Sequence, residues 1–294
     1  MGNTLRLRDL GLSVCAVGDL TPGDVLALLG SYGLGVVEIS EHYIRTFPDC
    51  VKVLKDGGAT VTEHVPFAAQ THHPLSKDPA VRTVSIGNIE ESMRKGRDLG
   101  VEYFTVHLMD PTPATLAEFW DDAVAAGRRI GHFAAGMGAR VGFENCYRMV
   151  IDGPTAARFL AAVDCPAAGL TLDAGHFWSA LDLNERGGLK EQRAFLKKPA
   201  GVVEMNRMLM EMVQCVRHRI FHVHLHDILA DSWQDHRAVG SGVMDCRGLF
   251  ARLAEMDWRG TMVVELRGAE AGEGLAGLRR SFDYIISTGL FATG

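Results

Sequence analysis

No run of about 18 uninterrupted apolar residues occurs in this 294-residue chain, so nothing in it is suited to cross a bilayer as a helix. The opening stretch, MGNTLRLRDLGLSV, lacks the apolar core of an export signal. A cytoplasmic protein with no membrane partner is the expectation. Cys-x-x-Cys spacing is missing too. The six cysteines (Cys15, Cys50, Cys146, Cys165, Cys215, Cys246) are scattered, several in apolar runs where a thiol packs as a small hydrophobe, which fits a reducing compartment. Positive charge is in deficit, with 30 Lys and Arg against 36 Asp and Glu for a net charge of −6, which disfavours a surface built to neutralise phosphates. The one local basic cluster, Arg217, His218 and Arg219, reads as a helix end, where cations complement the macrodipole. Nucleic acid is therefore not a favoured partner.

What the chain does have is alternation. Short β-branched or apolar runs predict strands at 13–18, 35–40, 59–65, 102–108, 140–146, 169–174, 219–226 and 261–267, and helix-period stretches lie between them. PGDVLALLGSYGL, ESMRKGRDLGV, LAEFWDDAVAAGRRIGHFAAGMGA, PTAARFLAAV and CRGLFARLAEMDW are such stretches, several opened by Pro, Asp or Thr and closed by Gly. Eight βα units predict an α/β fold, a single-domain (β/α)8 TIM barrel over residues 1–294. Residues 177–218 form the longest connection. Its polar first half, to about residue 200, reads as a lid-like insertion, and Met205, Met208, Met212 and Val216 in its second half share a helical face suited to core packing.

Strand ends in such a barrel point into a common mouth. The same position on successive strands carries Glu38, His64, His107, Glu144, Asp173, His224 and Glu265, where an ordinary barrel interior would offer Val, Ile and Leu. Glu144, Asp173, His224 and Glu265 make an oxygen-rich set with one imidazole, of the kind that holds one divalent metal with open positions. His222, His224 and His226 alternate on one strand and share a face. His222 reads as a deeper, hydrogen-bonded histidine, and Asp227 as a carboxylate that orients an imidazole from behind. Gly175, Gly240 and Gly242 are expected to permit tight turns. His72 and His73 read as a solvated loop pair, and His42 and His132 as surface or helix histidines.

The strings VVEIS (36–40), EHVPF (63–67), VHL (106–108), GFEN (142–145), LDAGH (172–176), HVHLHD (222–227), DHRAVGSGVMD (235–245) and VVEL (263–266) together resemble the sugar phosphate isomerase/epimerase superfamily. Xylose isomerase-like proteins, ketose 3-epimerases, inosose dehydratases and apurinic endonucleases share that barrel. The resemblance implies that Glu144, Asp173, His224 and Glu265 bind the metal, that Glu144 and Glu265 double as catalytic acid/base residues, and that His176 contacts substrate or metal. It also allows homo-oligomers. The chain departs from the pattern at His226, where many sugar-processing relatives carry Lys, so the resemblance carries no lysine role to this position.

The residue types suit enolisation. One divalent ion (Mn, Zn, Co or Mg) holding a ketone oxygen and its neighbouring hydroxyl would stabilise an enediolate, and a nearby carboxylate could take the proton. Paired glutamates on strands five and eight permit epimerisation or aldose–ketose isomerisation of a sugar, keto-sugar or cyclitol, and an inosose-type dehydration is a variant. His64, His107, His176, His226, His236, Arg237 and Arg267 are the candidate substrate-binding side chains, an arginine serving where the small carbohydrate carries phosphate or carboxylate. The rival is an apurinic-endonuclease-like multi-zinc phosphodiesterase with extra histidine ligands. It is opposed by the acidic chain and by Gln234, which stands where the nuclease pattern has aspartate.

Overall fold

Strand positions buried on both faces favour β-branched and aromatic residues, and the apolar runs fold accordingly. A computed structural model describes residues 4–17, 19–65, 73–108, 114–146, 149–150, 152–177, 198–229, 232, 234–267 and 274–293. The barrel strands are β1 (Leu10–Ser13), β2 (Val36–Ser40), β3 (Thr60–His64), β4 (Tyr103–Val106), β5 (Arg140–Glu144), β6 (Ala168–Asp173), β7 (Ile220–Leu225) and β8 (Thr261–Val264). They form a closed barrel in which every strand neighbours those next to it in sequence and β8 returns to β1. The expected (β/α)8 fold class is what the chain adopts. The helices are α1 (Pro22–Tyr32), α2 (Glu41–Thr46), α3 (Cys50–Asp56), α4 (Pro79–Asp98), α5 (Trp120–Gly136), α6 (Gly153–Val163), α7 (Pro199–Val216), α8 (Cys246–Glu255) and α9 (Gly274–Ser287). None of the described helices is long and apolar enough to cross a membrane.

Helix starts follow the local chemistry. Thr21 and Asp24 form a reciprocal capping box ahead of Pro22, and α1 ends at Gly33 in the left-handed region, φ 69°. Asp152 accepts from Thr155 N–H at 2.7 Å to start α6, and Asp245 accepts from Gly248 N–H at 2.9 Å to start α8. Two elements differ from expectation. The first strand is Leu10–Ser13 rather than 13–18, because Val14–Ala16 turns into a 3-10 helix in which the Ser13 hydroxyl accepts from Cys15 N–H at 3.5 Å. Helix α4 begins at Pro79, capped by Asp78, well before the ESMRKGRDLGV stretch that signalled it.

The chain packs as two compact units, Met1–Thr62 with His222–Gly294, and Glu63–Phe221. In the first, β1 and β2 run in register with Gly11 beside Val36, and a Cβ on Gly11 would stand 1.7 Å from the Val36 carbonyl oxygen. In the second, α6 packs on α7, where Met205, Met208, Met212 and Val216 are all buried as expected. Arg219, from the basic cluster, donates to the Cys165 and Ala168 carbonyls and ties the end of α7 to the start of β6. All six cysteines are thiols, with Cys50, Cys146, Cys165 and Cys246 buried. Most of the lid-like segment, 178–197, lies outside the described residues.

Inside the second unit, the Tyr103 hydroxyl lies 2.7 Å from Thr171 Oγ1, which is 3.0 Å from Thr105 Oγ1. Gly142 of β5 makes room for this buried group: a Cβ there would sit 1.8 Å from Tyr103 Oη and 2.3 Å from Thr171 Oγ1. Overpacking of this kind costs about 1–3 kcal/mol. Gly142→Ala is expected to lower the unfolding free energy by at least about that amount in urea. Gly23→Ala, whose Cβ would meet nothing nearer than 3.8 Å, should fall within about 0.5 kcal/mol of wild type.

Candidate functional site

In the unit Glu63–Phe221, Glu144 is the last residue of β5 and 2 % exposed. Three imidazoles surround its carboxylate. His107 Nε2 lies 2.8 Å and His64 Nε2 3.2 Å from Oε2, and His176 Nδ1 lies 3.2 Å from Oε1. His64 ends β3, His107 follows β4, and their rings meet edge to face at 4.9 Å. His64, His107 and Glu144 offer donor atoms within 4.8 Å of one another, so this group alone could hold a cation.

Asp173, the fully buried last residue of β6, is fixed by backbone chemistry. Its Oδ1 accepts from Gly175 N–H at 2.9 Å and from His176 N–H at 2.8 Å, so a carboxylate-closed turn aims His176 back at Glu144. Gly175 was expected to make this turn by its backbone freedom, but it is not among the left-handed glycines, and Asp173 does the work instead. Asn145 then extends the β5–β6 pairing past its end: its amide donates to the Asp173 carbonyl and accepts from Asp173 N–H, both at 2.9 Å. Asn145 was not singled out from the sequence, although it stands in GFEN beside Glu144. His73 is buried, not solvated, because α4 folds over it and the Ser85 hydroxyl accepts from its N–H at 2.9 Å; His72 lies outside the described residues.

In the other unit, His224 of β7 and Glu38 of β2 are both fully buried. Glu38 Oε2 is 2.9 Å from His224 Nε2 and 3.4 Å from His222 Nε2, and His224 Nδ1 is 2.9 Å from Oε2 of Glu265, the residue that follows β8. His222 bonds Thr261 Oγ1 through Nδ1 at 2.7 Å, as its expected deeper place requires. Burial holds His222 below the usual imidazole range despite the opposing pull of Glu38. Cys15 also belongs here, unsignalled by any motif. The residue is exposed at its surface, and desolvation and then the Glu265 charge push its thiol up to about 12.

The loop after β7 is organised by Asp227, which does not orient an imidazole as expected. Its buried carboxylate accepts from Ile228 and Met244 N–H through Oδ1 (2.8 and 3.0 Å) and from Gly240 N–H through Oδ2 (3.0 Å). Gly240 has φ 86°, as a tight turn demands, whereas Gly242 is needed for close approach, since a Cβ there would sit 2.1 Å from the Ile228 carbonyl oxygen. Arg237 pairs its backbone with Asp227 as an isolated antiparallel bridge. His236 is left-handed at φ 54°, an uncommon conformation for a residue with a Cβ, and its ring stacks on His226 at 4.1 Å. Its backbone N–H lies 3.0 Å from His226 Nδ1, which also stands 3.4 Å from the Asp227 carbonyl oxygen. Asp235 lies 3.4 Å from His236 Nδ1 and 3.1 Å from the guanidinium of Arg267, so Arg267 is engaged in an ion pair. His42 and His132 are exposed, as expected.

The donor chemistry fits a divalent cation. Two ligands on adjacent positions of one ion, each at about 2.1 Å, stand about 3 Å apart, close to the His224 Nδ1 to Glu265 Oε2 separation of 2.9 Å. With that geometry in place the relationship of the chain to known proteins is direct. Residues 26–287 match the family of xylose isomerase-like TIM barrels, and the chain belongs to that family. Among solved structures it is similar to the 3-keto-D-glucoside 4-epimerase of E. coli (17 % identity, 95 % of this chain and 99 % of that one, TM-score 0.69). It is similar also to a D-allulose 3-epimerase from Methylomonas sp. (20 % identity, 98 % and 100 %, TM-score 0.65) and to the D-psicose 3-epimerase of Clostridium cellulolyticum H10 (14 %, 95 % and 97 %, TM-score 0.66). At these identities the likeness is one of fold. Comparison with curated protein sequences gives no match.

Asp235 supplies a pH prediction. Burial opposes its charge, but the His236 hydrogen bond, the charges of His236 and His226, and Arg267 outweigh it and hold the carboxyl at about 2, below the usual 3.8. A depressed carboxylate stabilises the fold above its unfolded value and loses that contribution as pH falls through its folded value. Discounted for the exposure of Arg267, the effect is about 1–2 kcal/mol. Asp235→Asn should therefore be less stable than wild type by about that amount at pH 6, with the gap closing as pH falls from 4 towards 2, as read from urea unfolding at each pH.

Proposed function

We propose that the chain is a divalent-metal-dependent isomerase or epimerase of a sugar, keto-sugar or cyclitol. One observation carries the reading: β5, β6, β7 and β8, four successive barrel strands, end on Glu144, Asp173, His224 and Glu265, each at or within one residue of its strand terminus. In this reading the four would hold one ion, which would supply positive charge to a substrate carbonyl and the hydroxyl beside it, acidifying the C–H of the hydroxyl-bearing carbon. Glu144 and Glu265 act on that proton, one removing it and the other returning it, and a buried carboxylate ringed by imidazoles has both the low dielectric and the proton donors that such transfer needs. His64, His107, His176, His226 and His236 hold hydroxyls, and Arg237 or Arg267 meets any acidic group on the substrate. The named keto-sugar epimerases that share the fold support this substrate class. The acidic chain supports a small carbohydrate over nucleic acid.

The group of His64, His107 and Glu144 favours one second reading, a multi-zinc phosphodiesterase of the apurinic-endonuclease type, because it offers a further cation site beside the first. One experiment separates the two. Metal-loaded protein incubated with a panel of ketoses and inososes in deuterated water is expected to place deuterium on carbon, and Glu265→Gln is expected to reduce that exchange by at least about 100-fold while still folding. A water-eliminated inosose product would redirect the reading to a dehydratase. Cleavage of abasic-site DNA without exchange into any sugar would replace it with the phosphodiesterase.

A further inference from the structure

His224 has a carboxylate on each side of its ring. Nδ1 faces Glu265 Oε2 at 2.9 Å, and Nε2 faces Glu38 Oε2 at 2.9 Å. An imidazole can give a lone pair to a cation from only one nitrogen, and the hydrogen bond made by the other nitrogen decides which one. An ionised carboxylate is an acceptor only, so an ionised Glu38 accepts a hydrogen bond from Nε2–H, and the Nδ1 lone pair is then on the side of Glu265. Glu38 is itself held. His222, two residues earlier on the same strand face, reaches the same Oε2 through Nε2 at 3.4 Å, and its Nδ1 bonds Thr261 Oγ1 at 2.7 Å, on the residue in register beside it. The result is a continuous chain, Thr261 to His222 to Glu38 to His224 to Glu265. All of it except Glu265 and Thr261 has zero exposure.

A fully buried carboxylate in a barrel interior is costly unless it is needed and satisfied. We propose that Glu38 is a positioning residue of the metal centre: seated behind His224, it accepts a hydrogen bond from Nε2–H, fixes the ring and presents Nδ1 as the ligand, with His222 and Thr261 holding Glu38 in place. The inference rests on the metal reading above and concerns a residue that never touches metal or substrate. Partners of this kind typically govern about 10–100-fold in metal affinity.

Metal-stripped full-length protein titrated with Mn2+ by calorimetry tests it. Glu38→Ala should weaken Mn2+ binding by about 10–100-fold. Because both imidazoles meet the same oxygen, the single amide oxygen of Glu38→Gln can replace it, and this variant should recover most of the affinity. Nitrogen-15 spectra of the Zn2+-loaded wild type should show the His224 proton on Nε2, a readout that needs no variant to fold. A proton on Nδ1 in the loaded wild type, or a folded Glu38→Ala that binds Mn2+ like wild type, would overturn the role of Glu38 while leaving the metal centre standing. A wild type that binds no divalent ion would overturn the metal centre, and the positioning role with it.

Discussion

A carboxylate cut off from water has to find its partners inside the protein, and among the described residues Glu38, Glu63, Glu144, Asp173 and Asp227 do so with almost no exposure, Glu63 accepting from the Ser92 hydroxyl. The solutions differ, and the differences set the function of each residue. Asp227 is met by backbone N–H groups and staples the loop after β7, while Asp173 is met by the N–H groups of Gly175 and His176 and, at 3.5 Å, by His176 Nδ1. Glu144 and Glu38 are met by imidazoles, which can take up or release a proton near neutral pH.

Much of this was legible in the sequence because it depends on periodicity and strand-end identity. Eight apolar runs predicted eight barrel strands, and Glu144, Asp173 and His224 fall at or beside the ends of their strands, as the sequence pattern led one to expect. The first strand was misplaced because SVCAVG looks like a strand by composition, yet the Ser13 hydroxyl caps a 3-10 turn there, and side-chain capping is invisible to a hydrophobicity pattern. Partner choice was equally hidden. Nothing in HVHLHD says that Asp227 turns to the N–H groups of residues 240 and 244, because those partners arrive through a loop that the carboxylate itself shapes. Asn145 was missed for a related reason: its amide completes a strand pairing, a role set by the neighbouring strand and not by its own string.

Neighbouring residues of one type need not share one task. His222, His224 and His226 alternate along the chain, but His222 bonds Thr261, His224 lies between two carboxylates, and His226 stacks on His236. The left-handed backbone of His236 is held by that stack and by its bond to His226, so strain in the loop is offset by contacts with the strand end it covers.

The central claim is that Glu144, Asp173, His224 and Glu265 serve a single divalent ion. Elemental analysis of the purified full-length chain, expressed with ordinary trace metals and dialysed against metal-free buffer, tests it most directly. The account predicts one divalent ion per chain in the wild type and loss of that ion in His224→Ala. Three ions per chain would contradict it in favour of a multi-zinc centre, and no bound ion in a folded wild type would contradict it outright.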